Sequence, residues 1–149
     1  MPSPLPPFET FDHTADIGLI ARGATLGEAF ANAGRGLFSL MVDLDRIEER
    51  KQRRIEVEAE DVEGLLVAWL AELLYVHEVE ELVFSRFEID EIGDRRIVAL
   101  AFGEKLDLDR HNPQLMVKAV TRHLLEVARE DLPANGGTSG YRLRIVLDI

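Results

Sequence analysis

The sequence of 149 residues contains no cysteine. That absence excludes disulfide bonds, thiolate zinc sites and thiol nucleophiles together. It fits a reducing compartment without proving one, and a cytoplasmic location is the expectation. Long apolar runs are also missing. The longest, Leu65 to Ala71, falls far short of the ~18 residues a membrane-spanning helix needs, so no membrane partner is expected. The opening MPSPLPPFE has neither a basic n-region nor an apolar h-region and reads as no signal peptide. Its prolines predict an extended, poorly ordered leader over residues 1–7, followed by one domain over 8–149. Positive charge is scarce, with Lys+Arg 17 against Asp+Glu 28 and a net charge of -11. Such a field repels phosphates, and no basic stripe with interleaved aromatics offsets it, so direct nucleic-acid binding is not expected. Arg50, Lys51, Arg53 and Arg54 lie among Glu48, Glu49, Glu56 and Glu58 and read as a solvated face.

Apolar residues, at 46% of the chain, are plentiful, and a domain of this size buries roughly 70% of the surface its unfolded chain exposes. Ile17 to Gly23 reads as a strand paired with Phe8 to Phe11. Thr25 opens a helix running through Val42, with Leu26, Ala29, Phe30, Ala33, Leu37, Leu40 and Met41 at helical spacing. Thr25-x-x-Glu28 has the form of a capping box. Arg53 to Glu60 alternates as a strand with one buried face. Asp61 can cap a second helix, Val62 to about Val79, whose Leu65, Leu66, Trp69, Leu73 and Val76 predict the more deeply buried of the two. Leu82 to Ile92 and Arg95 to Phe102 form a hairpin across Gly93-Asp94. Val117 to Arg129 satisfies both periods: Met116, Val120, Leu124 and Val127 suit a helix, while Val117, Ala119, Thr121, His123 and Leu125 alternate. The loop from Pro133 to Gly140 leads into the strand Tyr141 to Leu147 and predicts a terminal hairpin. This order gives an α+β domain, a mixed or largely antiparallel sheet with two amphipathic helices packed on it.

Most catalytic templates fail. His13, His77, His111 and His123 show no H-E-x-x-H spacing, the serines no G-x-S-x-G elbow, and Gly136 to Gly140 no P-loop ending. Asp43/Asp45 and Asp107/Asp109 resemble calcium-loop acids. Counting as in an EF-hand, however, puts Glu48 and Arg54, or Asn112 and Lys118, where glycine and glutamate are required. Both pairs read as turn and cap residues.

Asp12-His13-Thr14-Ala15-Asp16-Ile17-Gly18 sets two acids, an imidazole and a hydroxyl at a strand entrance. Composition alone also accommodates a loop whose Asp and Thr side chains bond local backbone. Asp148 and the main-chain and terminal oxygens of Ile149 offer a complement. A last strand ending beside Asp16 would assemble an oxygen-only site suited to Ca²⁺ or Mg²⁺ rather than zinc.

These residues resemble a known family. Phe11-Asp-His-Thr-Ala-Asp-Ile-Gly18, Thr25-Leu-Gly-Glu-Ala-Phe30, Lys118-Ala-Val-Thr-Arg-His123 and Leu147-Asp-Ile149 are similar to archease, which assists the GTP-dependent RNA-splicing ligase. The resemblance implies an archease-like fold and a non-catalytic activator in tRNA splicing that promotes ligase guanylylation and multiple turnover. It implies a divalent cation on Asp16, Asp148 and the Ile149 carbonyl, with Asp12, His13, Glu28 and Lys118 as partner-facing or accessory residues. It also favours the strand reading of Val117 to Arg129. Arg122 departs from the aromatic usual there. Glu28 keeps its capping reading and Lys118 its reading as a surface charge. Two other classes stay open: a stand-alone metal-dependent hydrolase or phosphotransferase on Asp12, Asp16 and Asp148, and a general chaperone or scaffold.

Overall fold

The computed structural model describes residues 5–13, 16–131 and 139–149, with the side chains of Asp12 and His13 outside that description. Residues 1–4 of the expected leader, Thr14, and most of the expected 133–140 loop lie outside the described residues. The strands are β1 (Phe8–His13), β2 (Asp16–Gly23), β3 (Lys51–Glu58), β4 (Leu82–Ile92), β5 (Arg96–Lys105), β6 (Ala119–Val120), β7 (Glu126–Asp131) and β8 (Ser139–Asp148). The helices are α1 (Leu26–Met41) and α2 (Val62–Glu80), with a short 3₁₀ turn at Leu44–Arg46.

The α+β class holds, and the registered strand pairs are antiparallel. They divide into two sheets. One runs β1-β2-β8-β6 with β7 also on β8, and the other runs β3-β5-β4. Both helices touch both sheets: α1 packs on β2 and β8 of the first and β4 of the second, and α2 reaches β6 and β7 as well as β3, β4 and β5. Trp69 on α2 is fully buried and donates Nε1–H to the Phe30 carbonyl of α1 at 2.9 Å, tying the helices together. Phe38, Phe84 and Phe87 pack edge-on around this seam.

The helix starts follow their local chemistry. Thr25 Oγ1 accepts from Glu28 N–H at 3.1 Å, and Asp61 Oδ1 accepts from Gly64 N–H at 2.6 Å, each satisfying a first-turn donor. The expected burial order is reversed. α1 is the more enclosed helix because it lies between β2 and β4, whereas α2 turns Tyr75 and Val79 to solvent at 59% and 61% exposure. The ambiguous 117–129 segment is extended: β6 and β7 both pair with β8, separated by a turn in which Leu124 takes φ 55°.

Candidate functional site

The candidate site is built at one end of the β1-β2-β8-β6 ladder. Leu143, Ile145 and Leu147 of β8 are buried in the core. Strand alternation therefore places Asp148 on the outer face. β2 pairs with β8 so that Asp16 registers directly with Asp148, Gly18 with Val146 and Ile20 with Arg144. Directly opposed residues of an antiparallel pair project from the same face, with Cβ atoms roughly 4.5–5.5 Å apart. Both aspartates are half-buried. The juxtaposition expected of a last strand ending beside Asp16 is thus present.

Three further contacts fix this end. Lys118 N–H donates to the Asp148 carbonyl at 2.8 Å, so β8 is held from both sides at that residue. Thr121 donates both N–H and Oγ1–H to the Val146 carbonyl, at 3.1 and 2.7 Å, and accepts from His123 N–H at 3.1 Å. Nothing in the sequence marks Thr121 as a site residue, yet it pins the 118–123 motif to β8. Ile149 packs its side chain on the core, which steadies the Asp148–Ile149 backbone. On the other side, Phe11 registers with Gly18, and a Cβ on Gly18 would fall 2.0–2.3 Å from the Phe11 ring atoms. Glycine is required there for the ring to lie across the strand. That close approach aligns the β1–β2 hairpin and brings the His13 backbone into register with Asp16.

Not every expected residue gathers here. Glu28 is exposed in the first turn of α1, against Gly23 at the other end of β2. Gly23 lies seven strand steps from Asp16, roughly 23 Å at about 3.3 Å per residue. Lys118 reaches the site through its main chain, and its side chain is exposed. Among the described residues no group of three His, Asp or Glu side chains converges as a metal cage. The donors do suit a hard cation in kind: two carboxylates in register and an adjacent backbone carbonyl, all oxygen.

A second polar centre has no local sequence signal. Glu104, at the end of β5, is 3% exposed and His111 is fully buried. Glu104 takes a two-pronged contact from Arg110 at 2.8 and 2.7 Å, and accepts from the Glu48 N–H at 2.7 Å. His111 Nδ1 accepts from Asp107 N–H at 2.8 Å, which leaves the ring proton on Nε2, 2.9 Å from Glu104 Oε2. The Arg110 guanidinium, opposed in part by burial, brings the Glu104 carboxyl down to about 2. This cluster clamps the 106–117 segment to β5. The aspartates Asp43 and Asp107 do serve as turn and cap acceptors, at 3.2 Å to Asp45 N–H and 3.0 Å to Asp109 N–H. The basic stretch is neutralised as expected, Arg50 by Glu48, Arg53 by Glu80 and Arg54 by Glu56. No described helix is long and apolar enough to cross a membrane.

A family model described as the Archease protein family (MTH1598/TM1083) matches residues 8–149. The chain is 37% identical to the protein archease of Methanosarcina mazei, with 100% of each covered. It is 46% identical to that of Thermococcus gammatolerans, over 85% of this chain and 89% of the relative. The solution structure of Methanobacterium thermoautotrophicum protein 1598 matches with a TM-score of 0.76 at 36% identity, covering 96% of this chain and 99% of that one. The crystal structure of an archease from Thermotoga maritima shares the fold at a TM-score of 0.55 and 17% identity, covering 95% and 96%.

Proposed function

The chain belongs to the archease family, and on that premise we propose that it is a non-catalytic activator of a GTP-dependent RNA-splicing ligase, promoting guanylylation and repeated turnover. The observation that carries the reading is the Asp16–Asp148 register. Two carboxylates directly opposed on one face repel each other, and a divalent cation between them turns that repulsion into attraction. Asp16, Asp148 and the Ile149 carbonyl would hold Ca²⁺ or Mg²⁺. When bound, the ion supplies a hard Lewis acid able to organise phosphate oxygens. The residues of this chain do the positioning: Lys118 and Thr121 fix β8 through its carbonyls, and Gly18 with Phe11 fixes β2. The surplus of acids supports action on the enzyme rather than on its RNA.

The test is to add the purified protein to an RNA-splicing ligase with GTP, divalent metal and broken RNA, and to count turnovers. Multiple turnovers that fall back when Asp16→Ala or Asp148→Ala is used are expected. No acceleration by the wild type, or cleavage of RNA or nucleotide by the protein alone, overturns the proposal. A second reading, a general chaperone or scaffold, is favoured by the exposed Leu108 and Met116. That reading requires protection of unrelated unfolded proteins from aggregation.

A further inference from the structure

A groove of about 310 Å³ runs between the end of α1, the end of α2 and the 106–117 segment, lined by Met41, Val42, His77, Leu106, Leu115 and Val117. Its lip is strongly apolar yet open: Leu108 is 70% exposed, Met116 76% and Leu115 41%. Such side chains on a mobile loop would need no explanation, but here the backbone beneath them is fixed. Gln114 and Leu115 donate N–H to the Met41 and Leu40 carbonyls at 2.9 and 3.1 Å. Asn112 adopts φ 51°, and Glu104 anchors Arg110 and His111. A preorganised apolar lip loses little conformational entropy on binding. Methionine at both wall and rim gives the surface room to adapt.

The polar groups present select the occupant. The His77 Nδ1 donates to the Leu82 carbonyl at 2.8 Å, so in the neutral ring Nε2 is an acceptor. Glu78 lines the groove, and Asp107 and Asp109 flank Leu108. Acceptors and carboxylates around an apolar slot match a segment bearing donors and positive charge, and they repel a second copy of this acidic chain. Met116 also lies two residues before Lys118, roughly 7 Å of extended chain. The groove therefore adjoins the Asp16–Asp148 end, where Lys118 N–H meets the Asp148 carbonyl.

We infer that this groove docks an aliphatic segment of the partner protein flanked by Lys or Arg, delivering the Asp16–Asp148 end to the partner. The identity of that partner as the ligase rests on the function proposed above; the docking surface does not. Full-length wild type, Leu108→Glu, Met116→Glu, Met116→Leu and Asp148→Asn are titrated into the ligase by calorimetry, with ligase turnovers counted in parallel. Both glutamate variants should keep the wild-type thermal midpoint, since the altered side chains are exposed, and should bind about tenfold more weakly or worse. Met116→Leu should bind as wild type. Asp148→Asn should bind nearly as wild type yet fail to raise turnover. Wild-type affinity should fall with rising salt. Glutamate variants that bind and activate as wild type overturn the docking surface while the activator reading stands. A wild type that neither binds nor accelerates the ligase overturns both. A wild-type dimer that Met116→Glu dissociates shows a self-interface and overturns the assigned occupant.

Discussion

Replacing Glu104 by glutamine tests whether the buried carboxylate, rather than the shape of its side chain, holds the 106–117 segment. Glu104 is nearly inaccessible, and its carboxyl is brought down to about 2 from the ordinary 4.5, chiefly by Arg110. Each pH unit of separation is worth about 1.4 kcal/mol, which bounds the stabilisation near 3 kcal/mol. Arg110 is 37% exposed, so solvent screening brings the expected value to roughly 1–2 kcal/mol. The folded value lies below the unfolded one. The contribution is therefore fully present above about 4.5 and is lost as pH falls from there toward about 2. Urea unfolding followed by circular dichroism, from pH 6.5 to 3, supplies the measurement. Glu104→Gln should be less stable by about 1–2 kcal/mol at pH 6.5, and the gap should narrow steadily below pH 4.5. Glu49, Glu56 and Glu80 are also held below the usual range by Arg86, Arg96 and Arg53 respectively, but they titrate in both proteins and cancel in the difference. A gap that stays constant across this range refutes the electrostatic account.

Gly18→Ala should cost about 1–3 kcal/mol, because its methyl enters the Phe11 ring; adding Phe11→Ala should return part of the loss, measured as a double-mutant cycle in thermal melts. Asp61→Ala should destabilise by about 1 kcal/mol through loss of the Gly64 cap, read from urea midpoints. In chelator, Asp148→Asn should be as stable as wild type or more stable by up to about 1 kcal/mol, since it removes one of two opposed carboxylates. Millimolar Ca²⁺ or Mg²⁺ should then raise the thermal midpoint of wild type but not of the variant. Equal midpoint shifts in both proteins would rule out Asp148 as a ligand.

The legible parts of the fold are those written locally. Thr25 and Asp61 announce helix starts because an oxygen two or three residues ahead of a free N–H is a short-range feature. The alternation at Ile55 and Val57, like that at Leu143, Ile145 and Leu147, reports a buried face directly. What alternation does not report is the neighbour. Period alone carries no reason to split the strands into two sheets, and the place of β8 between β2 and β6 is a property of pairing, not of period. α2 misled for a related reason. Tyr75 and Val79 extend its apolar character around the helix, yet they face solvent, so hydrophobic content overstated burial. The site divides in the same way. Asp16 and Asp148 were recognisable as oxygen donors, and their register supplied the missing relation. Glu104 and His111 gave no signal, because a strand-end glutamate and a lone histidine acquire meaning only when the chain folds back between them.

The β2–β8 ladder contains its own control for the charge argument. At the end away from Asp16, Arg22 registers with Arg142, another like-charged pair. Glu130 answers it, 3.4 Å from the Arg22 guanidinium and 2.7 Å from that of Arg142, the latter an ion pair without hydrogen-bond alignment. Glu9 and Glu126 add further contacts. One end of the ladder thus places two cations side by side and brings in carboxylates from β1 and β7 to neutralise them. At the other end two carboxylates stand in the same relation, flanked in register by His13 of β1 and Ala119 of β6. Folding stability accounts for the first arrangement. Opposed carboxylates by themselves weaken a strand pair rather than strengthen it. On the function proposed above, a divalent cation between Asp16 and Asp148 would offset that repulsion.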